Sequence, residues 1–316
     1  MKITHYMAAG VSALAMMTAA TTAADEFPSG PLTMVIGFNP GGSSDVQGRV
    51  LANVMEDYLG QPVNVVNRPG AGGAVAFTEL ARNTEADGYT FIYGSLNTVT
   101  FMPLIQDVAF GVEDFDYVAG LAATQNALVT SGEQPFSTFE ELLEHGRDQR
   151  LTYAQQTSLD QAIIEQVAEI EGLNLSIVPT GGGGGMAPLV LGNEVDFAYS
   201  GGTHAQYTEE GDMQILAFLS AERSPFYPDS PTLVELGYDF SIEDYRAILT
   251  PAGVPDDVME RLVSAAEYAS QHEDFINVIE NVGSIGVNYA CLEIGRIPAA
   301  AASIARGVWC FGMTAS

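Results

Sequence analysis

LTMVIGFNPGGSSD, residues 32–45, decides the fold. Residues 32–38 form an unbroken apolar run, the pattern of a strand in a parallel sheet covered by helices on both faces. Asn39, Pro40, Gly41 and Gly42 stop it, and Ser43, Ser44 and Asp45 offer cap-type side chains. Val46, Val50, Leu51, Val54 and Leu59 then mark one face of a helix. Such a turn aims free backbone N–H groups and the positive end of a helix dipole above the sheet, so its natural guest is an anion. A plain strand-to-helix turn has the same composition, and this stretch alone does not separate the two.

The pattern repeats downstream. Residues 62–66 read as a second strand, and NRPGAGGA (67–74) is another glycine turn, leading into a helix with Phe77, Leu80 and Ala81. Asp87 and Gly88 turn into a third strand, 89–93, whose end carries Gly94, Ser95, Leu96, Asn97 and Thr98. Three successive strand ends therefore present small or polar residues, where open α/β sheets bind ligands.

With 316 residues, 47% of them hydrophobic, the chain can bury two modest cores. Residues 1–24 read as a signal peptide, with Lys2, an apolar core at 7–17 too short to span a membrane, and a Thr22-Ala23-Ala24 cleavage site. The expected mature chain is soluble and exported. Eleven basic residues face forty acidic ones, a net charge of −29, and Lys2 is the only lysine. A lysine-free mature chain has neither a P-loop lysine nor a Schiff base, and its field repels nucleic acid and anionic membranes. The scattered acids read as a solvated surface suited to a saline habitat.

FNPGGSSD, LGQPVNVVNRPGAGG, DGYTFIYGS and PAGVP, in this order over residues 27–287, resemble the periplasmic substrate-binding proteins of tripartite tricarboxylate transporters, the Bug family. The resemblance implies an α/β, two-domain periplasmic-binding-protein (flytrap) fold, each domain a mostly parallel sheet flanked by helices, with two hinge crossovers. Residues 25–124 and 249–316 would form domain I and residues 125–248 domain II. It also implies a binding protein, not an enzyme, that captures a small carboxylate such as a di- or tricarboxylate. Its partners would be integral membrane permease subunits, with no cofactor, no metal, no nucleic acid and a monomeric state. A sensor for a two-component signalling system would use the same cleft.

In domain II, SxxE at Ser137 and Glu140 and SxxQ at Ser158 and Gln161 read as capping boxes, the second ahead of Ile163, Ile164, Val167 and Ile170. Strand 151–154 leads through Gln155, Gln156 and Thr157 into that helix start, a second anion site mirroring the first. Gln155 and Gln156 stand where the family usually carries a glycine- and serine-rich loop. Pro179 and Thr180 precede five glycines, 181–185, read either as a backbone cradle for the ligand's far end or as a loop without side-chain roles. The expected ligand-binding set is Phe38, Pro40, Gly41, Gly42, Ser43, Ser44, Asp45, Ala71, Gly72, Ser95, Thr98, Gln156, Thr157, Ser158, Thr180 and Gly181. Asp45 caps its helix or accepts a ligand hydroxyl or ammonium. Arg68 pairs with a ligand carboxylate or braces its turn.

An enzyme has little to stand on. His145, His204 and His272 are far apart, HExxH, CxxC and GxSxG are missing, and Gly70, Gly72 and Gly73 do not complete GxGxxG, which counts against a nucleotide-dependent enzyme. The tail departs in composition: after Glu293 no acidic residue follows, while Trp309 and Cys310 do, with Cys291 just before. A frame error and a genuine divergent helix at 299–308 both fit, as do a Cys291–Cys310 disulfide and two free thiols.

Overall fold

The computed structural model describes residues 27–290. The expected signal peptide, the divergent tail and the Cys291–Cys310 question lie outside the described residues. The first lobe opens with β1 (Leu32–Ile36), α1 (Ser43–Leu59), β2 (Val63–Asn67), α2 (Ala74–Asn83), β3 (Thr90–Ser95), α3 (Leu96–Thr100), α4 (Met102–Ile105) and β4 (Phe115–Ala123). The chain crosses directly into the second lobe: β5 (Asn126–Ser131), α5 (Phe139–Gly146), β6 (Leu151–Gln155), α6 (Ser158–Glu171), β7 (Leu175–Pro179), α7 (Gly183–Leu191), β8 (Phe197–Gly201), α8 (Ala205–Thr208) and β9 (Met213–Phe218). It returns with β10 (Tyr245–Pro251), α9 (Asp256–Ser270), α10 (Glu273–Asn281) and β11 (Ile285–Ala290).

The first sheet runs β11-β4-β10-β3-β1-β2 and the second β7-β6-β8-β5-β9. Both are mixed. β1 pairs in parallel with β2 and β3, and β6 with β7 and β8. The strands at the crossings, β10 and β5, pair antiparallel with their neighbours on both sides. Parallel pairing thus occupies the half of each sheet built from alternating strands and helices, where crossover helices carry the chain back to the same end. The return strand starts at Tyr245, ahead of the Leu249 expected from the sequence, so Tyr245, Arg246, Ala247 and Ile248 belong to the first sheet.

Both faces of the first sheet are covered, as the apolar run of β1 requires. Leu32, Met34 and Ile36 are fully buried, each contributing about 1.5–3 kcal/mol of hydrophobic burial. α1, α9 and α10 bring Leu51, Val54, Met55, Leu262, Ala266, Phe275 and Ile279 to one face. On the other, α2 packs Phe77 and Leu80 with Phe110 and Phe115, whose rings meet at 5.6–5.9 Å. In the second lobe, Leu142, Leu151, Tyr153, Ile163, Ile164, Val167 and Phe197 form one core and Met186, Val190, Ala198 and Phe218 another.

Two helix starts differ from the sequence reading by one residue. Thr138, not Ser137, caps α5, with Glu141 completing the box, and Thr157, not Ser158, caps α6, with Asp160. TxxE and TxxD overlap the expected SxxE and SxxQ, and the threonine frame prevails at α6 because it turns Asp160 inward, where Tyr153 Oη donates to it at 2.7 Å. Ile170, expected on the apolar face, is 62% exposed.

Candidate ligand site between the two lobes

Backbone partners at the first glycine turn show what it does in this arrangement. Gly41, at φ +83°, lets the chain double back so that its N–H meets the Asp45 carboxylate at 3.0 Å. The Asn39 N–H donates to the Gly181 carbonyl at 2.6 Å and the Ser43 N–H to Thr203 Oγ1 at 3.1 Å. Ser43 Oγ donates to the Gly201 carbonyl at 2.6 Å. Phe38, Asn39, Pro40, Gly42 and Ser43 of the first lobe thus touch the second. The pentaglycine segment is their counterpart. A Cβ at Gly182 would stand 2.7 Å from the Phe38 ring, and one at Gly184 only 2.1 Å from the Pro40 carbonyl oxygen. These glycines let the two lobes meet backbone to backbone.

Asp45 belongs to the turn. Besides Gly41, its carboxylate accepts from Arg49 Nε and Nη2 at 3.0 and 2.8 Å and from Asn67 Nδ2 at 2.9 Å. Burial pushes its pKa up, but the bonds from Arg49, Gly41 and Asn67 outweigh that and hold it below the usual carboxylate range. With four donors on two oxygens, its acceptor positions are filled, and it braces the turn ahead of α1, whose N-cap, Gly42, receives no side-chain cap. Ser44 is buried beside it at the start of α1. Arg68 points outward to Glu79, 3.4 Å away, and donates to the Asn67 carbonyl, bracing its own turn.

A small interior cavity of ≈ 20 Å³ lies between the lobes, roomy enough for about one water molecule. Ser95, Asn97 and Thr98 line it from the end of β3 and the start of α3, and Thr157, Ser158 and Leu159 from the start of α6. Tyr199 and Asp244 complete the polar wall, and Phe101, Met102 and Ile242 the apolar one. Thr98 Oγ1 donates to the Gly72 carbonyl at 3.2 Å, and the space beside Gly72 is closed by the Thr157 backbone across the cleft. Gln106 Nε2 donates to Ser158 Oγ, a further bridge between lobes. Of the sequence-expected set, Ser95, Thr98, Thr157 and Ser158 surround this cavity, with Gly72 against it. Thr180 and Gln156 face the second sheet: Thr180 N and Oγ1 both bond the Gln155 carbonyl, and Gln156 Nε2 the Tyr199 carbonyl at 2.6 Å. Ala71 opens onto an outer groove beside Val75 and Val108.

The start of α6 already holds an anion. Asp160 accepts from Thr157 N–H and Oγ1, from Gln156 N–H and from Tyr153 Oη. Burial pushes its carboxyl up to about 6, against the pull of those donors. What remains for a ligand are the N–H groups of Ser158 and Leu159, which have no partner inside the helix. Asp244 in the cavity wall and Arg246 behind it are each 6% exposed. Arg246 Nη1 donates to Asp244 Oδ2 at 3.1 Å and its guanidinium lies 5.9 Å from the Phe38 ring centroid. Ser95 Oγ and the Asn97 N–H donate to Asp244 Oδ1 at 2.7 and 3.3 Å. Arg246 is the one buried arginine among the described residues. The sequence reading missed Asp244 and Arg246; the signal was a pair of opposite charges, two residues apart, at the head of an apolar strand in a cation-poor chain.

Two α/β lobes joined by two crossings, their strand ends facing across a cleft, define the class of two-domain periplasmic binding proteins. A family model described as "Tripartite tricarboxylate transporter family receptor" matches residues 48–296, and the chain belongs to that family of solute-binding receptors. The match begins inside α1, beyond the first glycine turn. The chain is 31% identical over 277 residues to the "UPF0065 protein in gbd 5'region" of Cupriavidus necator, covering 84% of each chain. It is 29% identical over 278 residues to "Protein BugT" of Bordetella pertussis, covering 85% of each. The solved periplasmic binding protein BugD superposes with a TM-score of 0.78 at 25% identity, covering 89% of this chain and 98% of that one. No helix among the described residues is long and apolar enough to cross a membrane.

Proposed function

We propose that the protein captures a small carboxylate, a di- or tricarboxylate or related organic acid, between its lobes and presents it to the integral membrane subunits of a tripartite transporter. One observation carries this: Ser158 and Leu159 at the start of α6, whose N–H groups have no partner inside the helix, line the same interlobe cavity as Asn97 of the first lobe, whose side-chain amide keeps one N–H beyond its bond to the Glu243 carbonyl. Neutral donors from both lobes suit a carboxylate, whose charge they stabilise without a lysine. In the arrangement seen here the cavity has room for one water, so an acid enters by separation of the lobes, residues 25–124 with the returning chain moving against residues 125–244 as hinged domains. Closure then removes the carboxylate from water, and the closed outline is what the membrane subunits read. The monomeric chain works in the periplasm after removal of residues 1–24, without catalysis. Solved structures of the same fold hold malate and adipate, two natural members of a test panel.

The test is a thermal-shift screen of the mature protein in high salt against mono-, di- and tricarboxylates, amino acids and nicotinamide cofactors. Selective stabilisation by a carboxylate supports capture, because a ligand bound only by the folded state raises its stability. Stabilisation by a nicotinamide cofactor, and by no carboxylate, would sink it.

A further inference from the structure

Asp244 places a carboxylate in the wall of the proposed carboxylate site. Three donors hold it: Ser95 Oγ, the Asn97 N–H and Arg246 Nη1. A carboxylate offers about four acceptor positions, so one remains, and Asp244 is among the residues lining the interlobe cavity. Arg246 balances the charge from behind, wedged between the Phe38 ring and Gly201, whose Cβ position lies 3.3 Å from Arg246 Nη2. Arg246 itself does not line the cavity. A ligand closed into this space therefore meets a fixed acceptor at the end of β3 and N–H donors at the start of α6. An acid with nothing but carboxylates sets oxygen against oxygen at Asp244. An acid with a hydroxyl or ammonium near its carboxylate donates to Asp244 while the carboxylate takes the Ser158 and Leu159 N–H groups.

We infer that this receptor selects carboxylates bearing a hydrogen-bond donor beside the acid group, and that Asp244 is the residue that reads the donor. The inference rests on the carboxylate-capture reading above and narrows it to hydroxy and amino acids. A site built around a buried acceptor rejects the analogue that leaves it unpaired. Asp45, the other acid at this end of the first lobe, has no acceptor position left for the task.

Calorimetric titration of the mature protein in high salt, with acids matched in carbon skeleton, tests this. The sets are propionate, lactate and alanine; succinate, malate and aspartate; glutarate, 2-hydroxyglutarate and glutamate; and tricarballylate with citrate. In whichever set binds, the hydroxy or amino acid is expected to bind at least about tenfold more tightly than its unsubstituted parent, and the favoured substituent tells hydroxyl from ammonium. Asp244→Asn alone would strand a buried arginine and endanger folding, so the variant to use is Asp244→Asn with Arg246→Gln. It is expected to narrow the gap to less than about threefold. An unsubstituted parent binding as tightly as its substituted partner overturns the inference and leaves carboxylate capture standing. Failure of every acid to bind overturns both. The wild-type comparison decides even where the double variant does not fold.

Discussion

Gly184→Ala is the sharpest perturbation of lobe closure. The added Cβ would lie 2.1 Å from the Pro40 carbonyl oxygen, whereas real Cβ contacts essentially never fall under 3.0 Å. Both partners are backbone, so relief comes from moving the lobes apart by about 1 Å. Three hydrogen bonds beside this contact would loosen: Asn39 N–H to Gly181 O, Ser43 N–H to Thr203 Oγ1 and Ser43 Oγ to Gly201 O. At about 1 kcal/mol each, closure weakens by about 3 kcal/mol, or roughly 100-fold in ligand affinity. The fold itself should not suffer. Position 184 lies in the first turn of α7, where alanine is favoured over glycine by up to about 1 kcal/mol. Calorimetric titration with the acid that binds the wild type, paired with thermal unfolding without ligand, separates the two effects. The expected result is a melting temperature at or above wild type with affinity reduced by about two orders of magnitude. Gly181→Ala, whose Cβ would first meet the Asn39 side chain and not backbone, should be milder. Wild-type affinity in Gly184→Ala would show that capture does not use this contact.

Two buried groups give opposite pH dependences. Burial lowers the His204 pKa to about 4, and its Nε2 is buried without a partner. Its contribution is therefore full above pH 6.5 and is lost as pH falls toward 4, a change of about 3 kcal/mol. Asp160, raised to about 6, acts in the other sense, its contribution being full below pH 3.8 and lost as pH rises through 6. Asp160→Asn should therefore fall increasingly behind wild type in urea denaturation as pH drops from 6 to 4, and a constant offset would refute the assignment. Asp45→Asn, which weakens the bonds to Arg49 and Gly41, should cost about 2 kcal/mol of stability without changing which acid binds best; a switch in preferred ligand would return Asp45 to the site. The net charge of −29 predicts a melting temperature that rises with salt as self-repulsion is screened. Identical unfolding in 0.1 M and 2 M chloride, an interval of screening from about 10 Å to under 3 Å, would remove the saline-habitat reading.

The alternating half of each sheet was legible because its signals are local. Apolar runs at 32–38 and 89–93 and the glycine turns after them lie within a few residues of the helices they open, and α1, α2 and β3 sit where those patterns put them. Strands β5, β10 and β11 pair antiparallel with strands far away in sequence, so their registers belong to tertiary contacts that no short window contains. The same limit applies at the site. Ser95, Thr98, Thr157 and Ser158 could be picked out as polar residues at strand ends. Asp244 could not, because its meaning comes from Ser95, 149 positions earlier in the chain. The glycine turns looked alike in sequence, yet the backbone of the first is engaged by Asp45, Gly181 and Thr203. Only the approach of the second lobe shows that five glycines form a contact surface.

A crystal structure of the mature protein with the acid that binds it best tests carboxylate capture most directly. Capture between the lobes predicts density for the acid bounded by Ser95, Asn97 and Thr98 on one side and Thr157 and Ser158 on the other, with a carboxylate oxygen on the Ser158 and Leu159 N–H groups. Density in the outer groove beside Ala71, Val75 and Val108, with the interlobe cavity unchanged, would contradict it.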